Sequence, residues 1–400
     1  MINNSMKRNY AVLLRIYPNQ EQQLGINKTI GCCRFLYNHM LAERKQVFEE
    51  HKENKEEIYG WKYKTEKQYK QEYDFLKEAD SVALQQSRRH LENSYNNFFK
   101  SLSGRRKGGL VGFPKFKKKK NGGSYISMNN GVIEIKDTKH IKLPKLGIVK
   151  CGINPKFFDN KDKICSVSIS CSCSGKYYCS VLFEKEVKEV KKIELSEKSK
   201  VIGLDMSLTN FFVDNEGNSP AYIKIYKKHE KRLKRLQHLE SRKKKNSRKR
   251  KKLRKSINFI NEKISNKRKD FSHKLSTELV KNNDVIVVES LNLKAISQGL
   301  KLGKSVMDLG YSQFINQLKY KCDWYGKHFI EADKWFASSK ICHKCGYKYK
   351  DLSLSERKWV CPKCGTTIER DENAAINLKN LGVAHIHKCL QSQNSSSAMK

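Results

Sequence analysis

The sequence predicts a multidomain protein of α+β class, and three observations support this. Two short runs of β-branched and aliphatic residues, at 201–205 and 285–289, are typical of buried strands, and each ends in an acidic residue. Residues 124–185 alternate between apolar and polar side chains in the manner of β-structure. The stretches from about 20 to 100 and from 224 to 269 carry apolar residues at helical spacing. A chain of 400 residues exceeds one ordinary core, so about two to four domains are expected.

The N-terminal half is predicted to be a small β-barrel that carries a helical insertion. Residues 7–17 read as a strand that Pro18 ends, and Asn19 then opens a helical block. Several short strands with two-sided alternation follow the block, and they favour a small barrel that the first strand joins. The expected bounds are 1–17 for the first barrel strand, 18–104 for the helical lobe, 105–187 for the rest of the barrel and 188–198 for a charged linker.

The most basic stretch lies between the two acid-terminated strands. Residues 224–269 contain twenty-two Lys and Arg but only three acids, and apolar residues such as Ile257, Ile260 and Ile264 recur at helical spacing. We therefore expect two long helices, joined near Lys243 to Arg248, with cationic faces suited to a phosphate backbone. The alternative is a solvated or disordered charged tract.

The charge balance predicts a nucleic-acid partner. Lys and Arg total 82 against 41 Asp and Glu, so the formal net charge is +41. A chain this basic requires a polyanion, and nucleic acid fits better than a membrane surface. The candidate nucleic-acid-binding residues come from two basic segments and are Arg105, Arg106, Lys115, Lys117, Lys118, Lys243, Lys244, Lys245, Arg248 and Arg250.

The cysteine pattern and the N-terminus favour a cytoplasmic protein. No run of about 18 apolar residues and no apolar stretch of signal-peptide length is present, so no membrane partner is expected. The thirteen cysteines are odd in number, which argues against a disulfide framework. We expect Cys165, Cys171, Cys173 and Cys179 to be strand thiols, and the pair Cys32 and Cys33 to lie in a helical core.

Four other cysteines predict one structural Zn²⁺. Cys342 and Cys345 form one Cys-x-x-Cys pair, and Cys361 and Cys364 form a second pair, with fifteen residues between the two pairs. This is zinc-ribbon spacing, and four thiolates make a closed tetrahedral shell with no position for catalysis. An iron–sulfur site or a redox pair is the alternative. His343, inside the first pair, is expected at the surface and not as a ligand.

Three carboxylates predict a second metal site. Asp205 and Glu289 end the two buried strands, and Asp371 begins a helical pattern after the cysteines. Strand-end acids and a third acid on a following helix can converge on one point, where their repulsion calls for cations. Hard oxygen ligands suit two Mg²⁺ or Mn²⁺ ions, and two such ions about 4 Å apart catalyse in-line attack on a phosphodiester.

The chain resembles the TnpB family, the RNA-guided nucleases of bacterial insertion sequences and relatives of type V CRISPR effectors. The motifs that carry the resemblance are Gly203-Leu204-Asp205, Val288-Glu289-Ser290-Leu291-Asn292 and Arg370-Asp371-Glu372-Asn373-Ala374-Ala375. In the N-terminal half, Gly31-Cys32-Cys33-Arg34 and Gly112-Phe113-Pro114-Lys115 are also similar to family motifs.

The resemblance implies a RuvC-like catalytic domain with an RNase H-like fold and an inserted zinc ribbon, preceded by a wedge-like barrel that carries a helical recognition lobe. The implied bounds are 199–337 for the first nuclease part, 338–366 for the ribbon, 367–385 for the second nuclease part and 386–400 for a disordered tail. Asp205, Glu289 and Asp371 would be the catalytic acids that hold two metal ions.

The implied activity is cleavage of double-stranded DNA beside a short motif, directed by a guide RNA from the protein's own element. We expect a monomer bound to that RNA. Two alternatives remain: a transposon accessory protein that binds DNA without cutting it, and a structure-selective nuclease that needs no guide.

Overall fold

The structure is a computed structural model, and it describes residues 5–51, 62–119, 122–154, 159, 161–188, 190–222, 224–290, 303, 308–353 and 356–397. The chain divides into two compact units, Met1–Lys188 and Glu189–Lys400. Each unit has its own hydrophobic core, as expected for a chain of this length. In the described residues, no helix is both long enough and apolar enough to span a membrane.

The N-terminal unit is built on a seven-stranded antiparallel sheet with the order β2-β6-β7-β1-β5-β4-β3. The strands are β1 (Ser5–Tyr17), β2 (Gly123–Met128), β3 (Glu134–Ile135), β4 (His140–Leu143), β5 (Gly147–Gly152), β6 (Lys163–Cys171) and β7 (Tyr177–Lys188). Strand β1 is central, since it pairs with β7 along nearly its whole length and with β5 at its C-terminal end. The first strand therefore joins the later ones, as the sequence predicts.

The described strands form an open sheet. Strands β2 and β3 lie at its two ends, and the pairings among the described residues do not join them. The barrel that the sequence favours is thus present as an antiparallel sheet, without the closing pair of strands.

The helical lobe is inserted between β1 and β2. It contains α1 (Gln20–Glu50), α2 (Glu66–Glu72), a 3₁₀ turn (Asp74–Glu78) and α3 (Ser81–Leu102). Helix α1 begins at Asn19, whose side chain and that of Gln22 form a capping box, which explains why the chain turns helical directly after Pro18. Cys32 and Cys33 are buried in the core between the helices and the sheet, as predicted.

The C-terminal unit is built on a four-stranded mixed sheet with the order β11-β10-β8-β9. Its strands are β8 (Val201–Ser207), β9 (Phe211–Asp214), β10 (Val285–Val288) and β11 (His328–Glu331). Strands β10 and β11 run parallel to β8, and β9 forms an antiparallel hairpin with it. A strand flanked by one antiparallel hairpin and by parallel strands agrees with the RNase H-like fold that the resemblance implies.

Helices cover both faces of this sheet. The helices of this unit are α4 (Ile225–Ser241), α5 (Arg248–Asn282), α6 (Tyr311–Tyr325) and α7 (Arg370–Ser397). Helices α5 and α6 cover one face and α7 covers the other, whereas α4 packs on α5. Ile286 and Val288 pack in the cluster with α5 and α6, whereas Val285 and Val287 pack in the cluster with α7. Burial on both faces explains why β10 reads as a continuous apolar run and not as an alternating one.

The two basic helices are α4 and α5, which meet through Ile225, Leu233, Ile257, Ile260 and Ile264. The sequence prediction of two helices joined near Lys243 to Arg248 is therefore confirmed, and the disordered alternative is not supported. The apolar stripe allows the two helices to pack on each other although most of their other residues are charged.

The expectation of a disordered tail after residue 385 is wrong for most of its length. Helix α7 continues to Ser397, and Ile386 is buried against the sheet with Leu390 packed beside it. These two side chains extend the apolar face of the helix beyond the third motif. The polar composition of 391–397 concealed this continuation.

Candidate functional site

The sheet register places Asp205 beside Glu289. Strands β8 and β10 pair in parallel up to Leu204 opposite Val288, and the next residue on each strand is the acid. Adjacent parallel strands lie about 4.8 Å apart, and paired residues point to the same face. Glu289 directly follows the last residue of β10, whereas Asp205 lies inside β8, which continues to Ser207, so the prediction that Asp205 ends its strand is wrong. The two acids still lie side by side, because the pairing of β8 with β10 stops just before them.

A close backbone contact brings Asp371 to the same place. A β-carbon on Gly203 would lie 2.1 Å from the carbonyl oxygen of Ala375, so helix α7 rests directly on β8 at this glycine. Asp205 is two residues further along the strand on the same face, and Asp371 is about one helical turn before Ala375. The N-terminal end of α7 therefore lies beside the part of β8 that carries Asp205.

The electrostatics of the three acids reflect this proximity. Burial raises the pKa of Asp205 well above its usual range, and the charges of Glu289 and Asp371 raise it further. Burial also raises the pKa of Glu289, while Arg370 opposes that rise. Like charges held close together in a partly dry site resist ionisation unless cations join them.

Two arginines face the acids. Arg357 Nη1 lies 2.9 Å from Oδ1 and 3.2 Å from Oδ2 of Asp371. The charges of Arg370 and Arg357 both favour the ionised form of Asp205 and so lower its pKa against the larger opposing effects. The sequence motifs include Arg370, but the position of Arg357, within the zinc ribbon, gave no sequence signal of this contact.

Tyr311, the first residue of α6, binds both strands of the β8–β9 hairpin. Its hydroxyl donates to the carbonyl oxygens of Ser207 and Phe211, the latter at 3.0 Å. Phe211 has a φ of 74°, an unusual value for a non-glycine residue, and its ring is fully buried among Tyr222, Phe271 and Phe314. The hairpin that carries Asp205 is therefore held by packing and not only by strand pairing.

The four predicted cysteines form the group best arranged for a metal ion. The sulfur atoms of Cys342, Cys345, Cys361 and Cys364 all lie within 4.8 Å of one another, and they are the only such group of three or more potential ligands among the described residues. Each pair forms a tight turn, because Gly346 N donates to Cys342 O and Gly365 N donates to Cys361 O, both at 2.9 Å. Both glycines have positive φ, which L-residues rarely adopt.

The ribbon has a small core of its own and joins α7 directly. Trp359, Leu352 and Ile368 pack with the cysteines, and β12 (Lys358–Val360) pairs with β13 (Thr367–Glu369). Strand β13 leads straight into α7, so the residue after the ribbon's last strand is one position before Asp371.

Two asparagines bind the first cysteine turn to α7. Asn373 Nδ2 and Asn377 Nδ2 both donate to the carbonyl oxygen of Ile341, at 2.7 and 2.6 Å. His343 lies against Asn373, with its backbone N 3.0 Å and its Nδ1 2.9 Å from Oδ1. His343 is thus half-buried and bonded to α7, which corrects the expectation of a surface residue. Two buried polar residues at i and i+4 of an apolar helix were the available sequence signal.

Three of the four cysteines predicted to be strand thiols lie in strands, and the prediction is wrong for Cys173. Cys165, Cys171 and Cys179 lie in β6 or β7, and Cys173 is exposed in the turn between them. Burial raises the pKa of the Cys179 thiol to about 12, which makes it inert at neutral pH.

The predicted basic residues of the N-terminal unit lie in an irregular segment held by side chains. Asn38 accepts from Lys117 N at 2.8 Å and donates to Lys117 O at 3.0 Å, and Phe113 packs edge-on against Tyr95 and Phe98. Arg105, Lys115, Lys117 and Lys118 are exposed, whereas Arg106 is half-buried and donates to Gly109 O. The segment is therefore anchored while most of its cations face solvent.

The predicted basic residues of the C-terminal unit lie at the α4–α5 turn. Lys243, Lys244, Lys245 and Arg248 are exposed. Arg250 differs, because its Nε donates to Glu240 at 2.7 Å, and Arg254 donates to the same oxygen at 2.7 Å. Arg250 therefore closes the turn, and its guanidinium is less available to a ligand than its neighbours.

Comparison with known proteins gives matches along most of the chain. A family described as "Probable transposase" matches residues 180–299, a "Cas12f1-like, TNB domain" matches 311–378, and a "Helix-turn-helix domain" matches 6–53. The described structure of the last segment is a strand followed by one long helix, so it lacks the turn that this description names. Leu291 and Asn292 of the second motif lie outside the described residues.

Among solved structures, the fold is similar to that in a cryo-EM structure of a Cas12f1-sgRNA-target DNA complex. The TM-score is 0.53 at 13% identity, and the match covers 94% of this chain and 99% of that one. At this identity the similarity concerns the fold alone.

Similar sequences include a "Putative RNA-guided DNA endonuclease" of Streptomyces pristinaespiralis, 30% identical over 382 residues that cover 94% of this chain and 89% of the relative. The "Putative RNA-guided DNA endonuclease InsQ" of Escherichia coli K12 is 30% identical over 95% of this chain and 94% of its own. A "TnpB-like protein L79" of Acanthamoeba polyphaga mimivirus is 29% identical over 49% of this chain and 40% of its own. On this identity and coverage, the chain belongs to the TnpB family.

Proposed function

We propose that this chain is an RNA-guided, Mg²⁺-dependent DNA endonuclease of a transposable element, which cuts double-stranded DNA beside a short recognition motif. The observation that carries the proposal is the position of Asp205 next to Glu289 and Asp371 at one edge of the sheet. The relatives named as RNA-guided DNA endonucleases support the same conclusion.

The three acids have the ligand chemistry of a divalent cation site, although their carboxylate oxygens do not form a ligand group as compact as that of the four cysteines. They offer hard oxygen atoms, which Mg²⁺ and Mn²⁺ prefer. Burial, and after it the charges of Glu289 and Asp371, raise the pKa of Asp205, so a bound cation would favour its ionised form. We propose Asp205, Glu289 and Asp371 as the ligands. A pair of divalent cations supplies charge that activates a water nucleophile and stabilises the leaving 3′ oxygen.

The remaining parts of the site have positioning roles. Tyr311 holds the hairpin that carries Asp205, and Gly203 allows α7 to approach closely enough to deliver Asp371. The zinc ribbon fixes the start of α7 through Asn373 and Asn377. Four thiolates saturate a tetrahedral ion, so the Zn²⁺ that we assign to the ribbon is structural.

The partners that we propose are a guide RNA from the same element and double-stranded target DNA. The net charge of +41 is large for a protein that contacts only a short duplex, since a typical site involves about 6–10 phosphates. Exposed cations occur both on the segment that Asn38 anchors and at the α4–α5 turn. We propose one protein chain per RNA, with base pairing providing the sequence specificity.

The deciding experiment is to change the guide. The protein is expressed with the flanking sequence of its own element, and the RNA that survives a high-salt wash is sequenced. Replacing the guide end of that RNA is expected to redirect cleavage to the new complementary DNA, provided that the adjacent motif is kept.

The same experiment separates the alternatives. If RNA-free protein cuts the original site equally well, a structure-selective nuclease is the better explanation. If the protein binds DNA and RNA but no cleavage occurs at any tested concentration of Mg²⁺ or Mn²⁺, it is an accessory DNA-binding protein. Retargeted cleavage excludes both alternatives.

A further inference from the structure

The zinc ribbon delivers a guanidinium to one of the three acids. Arg357 lies directly before β12, and its Nη1 contacts both carboxylate oxygens of Asp371, at 2.9 and 3.2 Å. Its backbone oxygen also accepts from Arg370 N at 2.8 Å. Main-chain and side-chain contacts therefore both link Arg357 to the first turn of α7.

This contact occupies the oxygen atoms that a cation would use. A divalent ion bound by Asp371 needs at least one of the two carboxylate oxygens, and Arg357 engages both. A guanidinium and a metal ion are both cations and repel each other at this distance. Each carboxylate oxygen has a second lone pair, so both cations can contact Asp371, but their repulsion makes each one weaken the binding of the other.

The ion pair between Arg357 and Asp371 can also break and re-form easily. The side chain of Arg357 is 62% exposed and that of Asp371 is 26% exposed. Water and salt screen an ion pair of this exposure, so it is weak. Arg357 can leave without opening any core, because its guanidinium already faces solvent.

We propose that Arg357 is a positioning residue that competes with the catalytic divalent cation for the carboxylate of Asp371. It thereby sets the cation concentration at which the site formed by the three acids is half-saturated. The inference rests on the proposed nuclease function. It extends that function by giving the ribbon an influence on cation affinity besides its structural role.

The neighbouring residue Lys358 provides a matched control. It follows Arg357 directly as the first residue of β12 and is also exposed, but its ammonium pairs with Glu369 and not with an acid of the site. Arg357→Gln and Lys358→Gln remove the same charge from adjacent positions. Any difference between them reports the specific contact with Asp371 and not the general loss of positive charge.

The test is a Mn²⁺ titration of full-length, zinc-loaded protein without nucleic acid, followed by electron paramagnetic resonance of the free ion. Arg357→Gln is expected to lower the half-saturating Mn²⁺ concentration roughly two- to five-fold relative to Lys358→Gln, as loss of an exposed ion pair allows. Arg357→Lys, which keeps the charge but replaces the guanidinium by an ammonium on a shorter side chain, is expected to lie between Arg357→Gln and the wild type. Asp371→Asn defines the signal that belongs to this site.

Three outcomes overturn the inference: equal midpoints for Arg357→Gln and Lys358→Gln, a higher midpoint for Arg357→Gln, or a midpoint for Arg357→Lys equal to that of Arg357→Gln. Zinc content and the thermal midpoint of each variant show whether it is folded. Failure of the proposed function is a separate result, because guide-directed cleavage would then be absent whatever the Mn²⁺ midpoints are.

Discussion

Gly203 and Ala375 bring β8 and α7 into backbone contact: a β-carbon on the glycine would lie 2.1 Å from the alanine's carbonyl oxygen and 2.6 Å from Lys379 N. Real β-carbons do not approach backbone atoms this closely, and a helix backbone cannot rotate away as a side chain can. The close packing of α7 therefore requires a glycine at position 203, two residues before Asp205.

Gly203→Ala is expected to destabilise the C-terminal unit by about 1–3 kcal/mol or more, because an overpacked contact forces the backbone to shift. It should also abolish cleavage, since a displaced α7 moves Asp371 away from Asp205. Chemical denaturation and a cleavage assay measure the two effects. Gly152→Ala in β5 is the control, because its added β-carbon meets no atom within 4 Å. Wild-type behaviour of Gly203→Ala would mean that the helix does not need this approach.

Substitution of each acid by alanine is expected to abolish guided cleavage while nucleic-acid binding is largely retained. Asp205→Ala, Glu289→Ala and Asp371→Ala each remove one ligand from the site that supplies both nucleophile and leaving-group stabilisation. Cleavage and filter-binding assays in Mg²⁺ compare these variants with Asp323→Ala, an exposed acid on α6. If any one of the three still cuts at the wild-type rate, that acid has a structural role only.

The ionised carboxylate of Asp205 is expected to lower the free energy of unfolding in the absence of divalent cations. Its folded pKa lies well above the ordinary value of 3.8, so the folded state binds its proton more tightly than the unfolded state does. Stability is then lost as pH rises from the unfolded pKa through the folded pKa, and the loss is complete above the folded pKa.

Asp205→Asn should therefore raise the free energy of unfolding by about 0.5–2 kcal/mol at neutral pH without added divalent cations. The advantage over wild type should shrink as pH falls toward the unfolded pKa, and also when Mg²⁺ is added. Urea denaturation across this pH range provides the measurement. A variant that is less stable than wild type at neutral pH would show that the carboxylate is well compensated.

The ribbon is expected to hold about one zinc per chain, and losing it should disturb the start of α7. Cys342→Ser and Cys361→Ser should both lower zinc content and weaken protection from hydrogen exchange around Asp371, because Asn373 and Asn377 bond to the cysteine turn. Cys173→Ser, an exposed thiol outside the ribbon, serves as control. Elemental analysis that finds iron, or no metal in folded protein, would contradict the assignment.

The sequence predicts elements whose determinants are local. The run 285–288 is apolar throughout because β10 is covered on both faces, and the turn between α4 and α5 follows from apolar spacing on either side of a polar stretch. The continuation of α7 was missed because Gln391 to Ser397 lack apolar residues, although Ile386 and Leu390 pack below. Helix length here is decided by tertiary contacts and not by composition.

Site residues divide in the same way. The zinc ligands and the two acids that follow apolar runs could be predicted, because each is marked by a short pattern of neighbouring residues. Arg357 was not predicted, because its contact with Asp371 requires the ribbon to fold back by one hairpin so that β12 lies beside β13. Spacing in sequence does not reveal which of many arginines such a fold brings to the acids.

The turn between α4 and α5 is expected to bind phosphate backbone. The triple variant Lys243→Gln, Lys244→Gln and Lys245→Gln removes three exposed cations that lie outside the helices' packed faces. Each phosphate contact contributes about 0.7–0.9 to the slope of log affinity against log salt concentration, so the slope should fall by up to about 2–3. Fluorescence anisotropy with the co-purified RNA, over a series of salt concentrations, measures it. The control removes three exposed cations from β4, β5 and the bend before β4, namely Lys139, Lys142 and Lys150, and changes the net charge equally. Equal slopes for the two triple variants would mean that only total charge matters. A smaller slope for the turn variant alone would identify the α4–α5 turn as a contact surface.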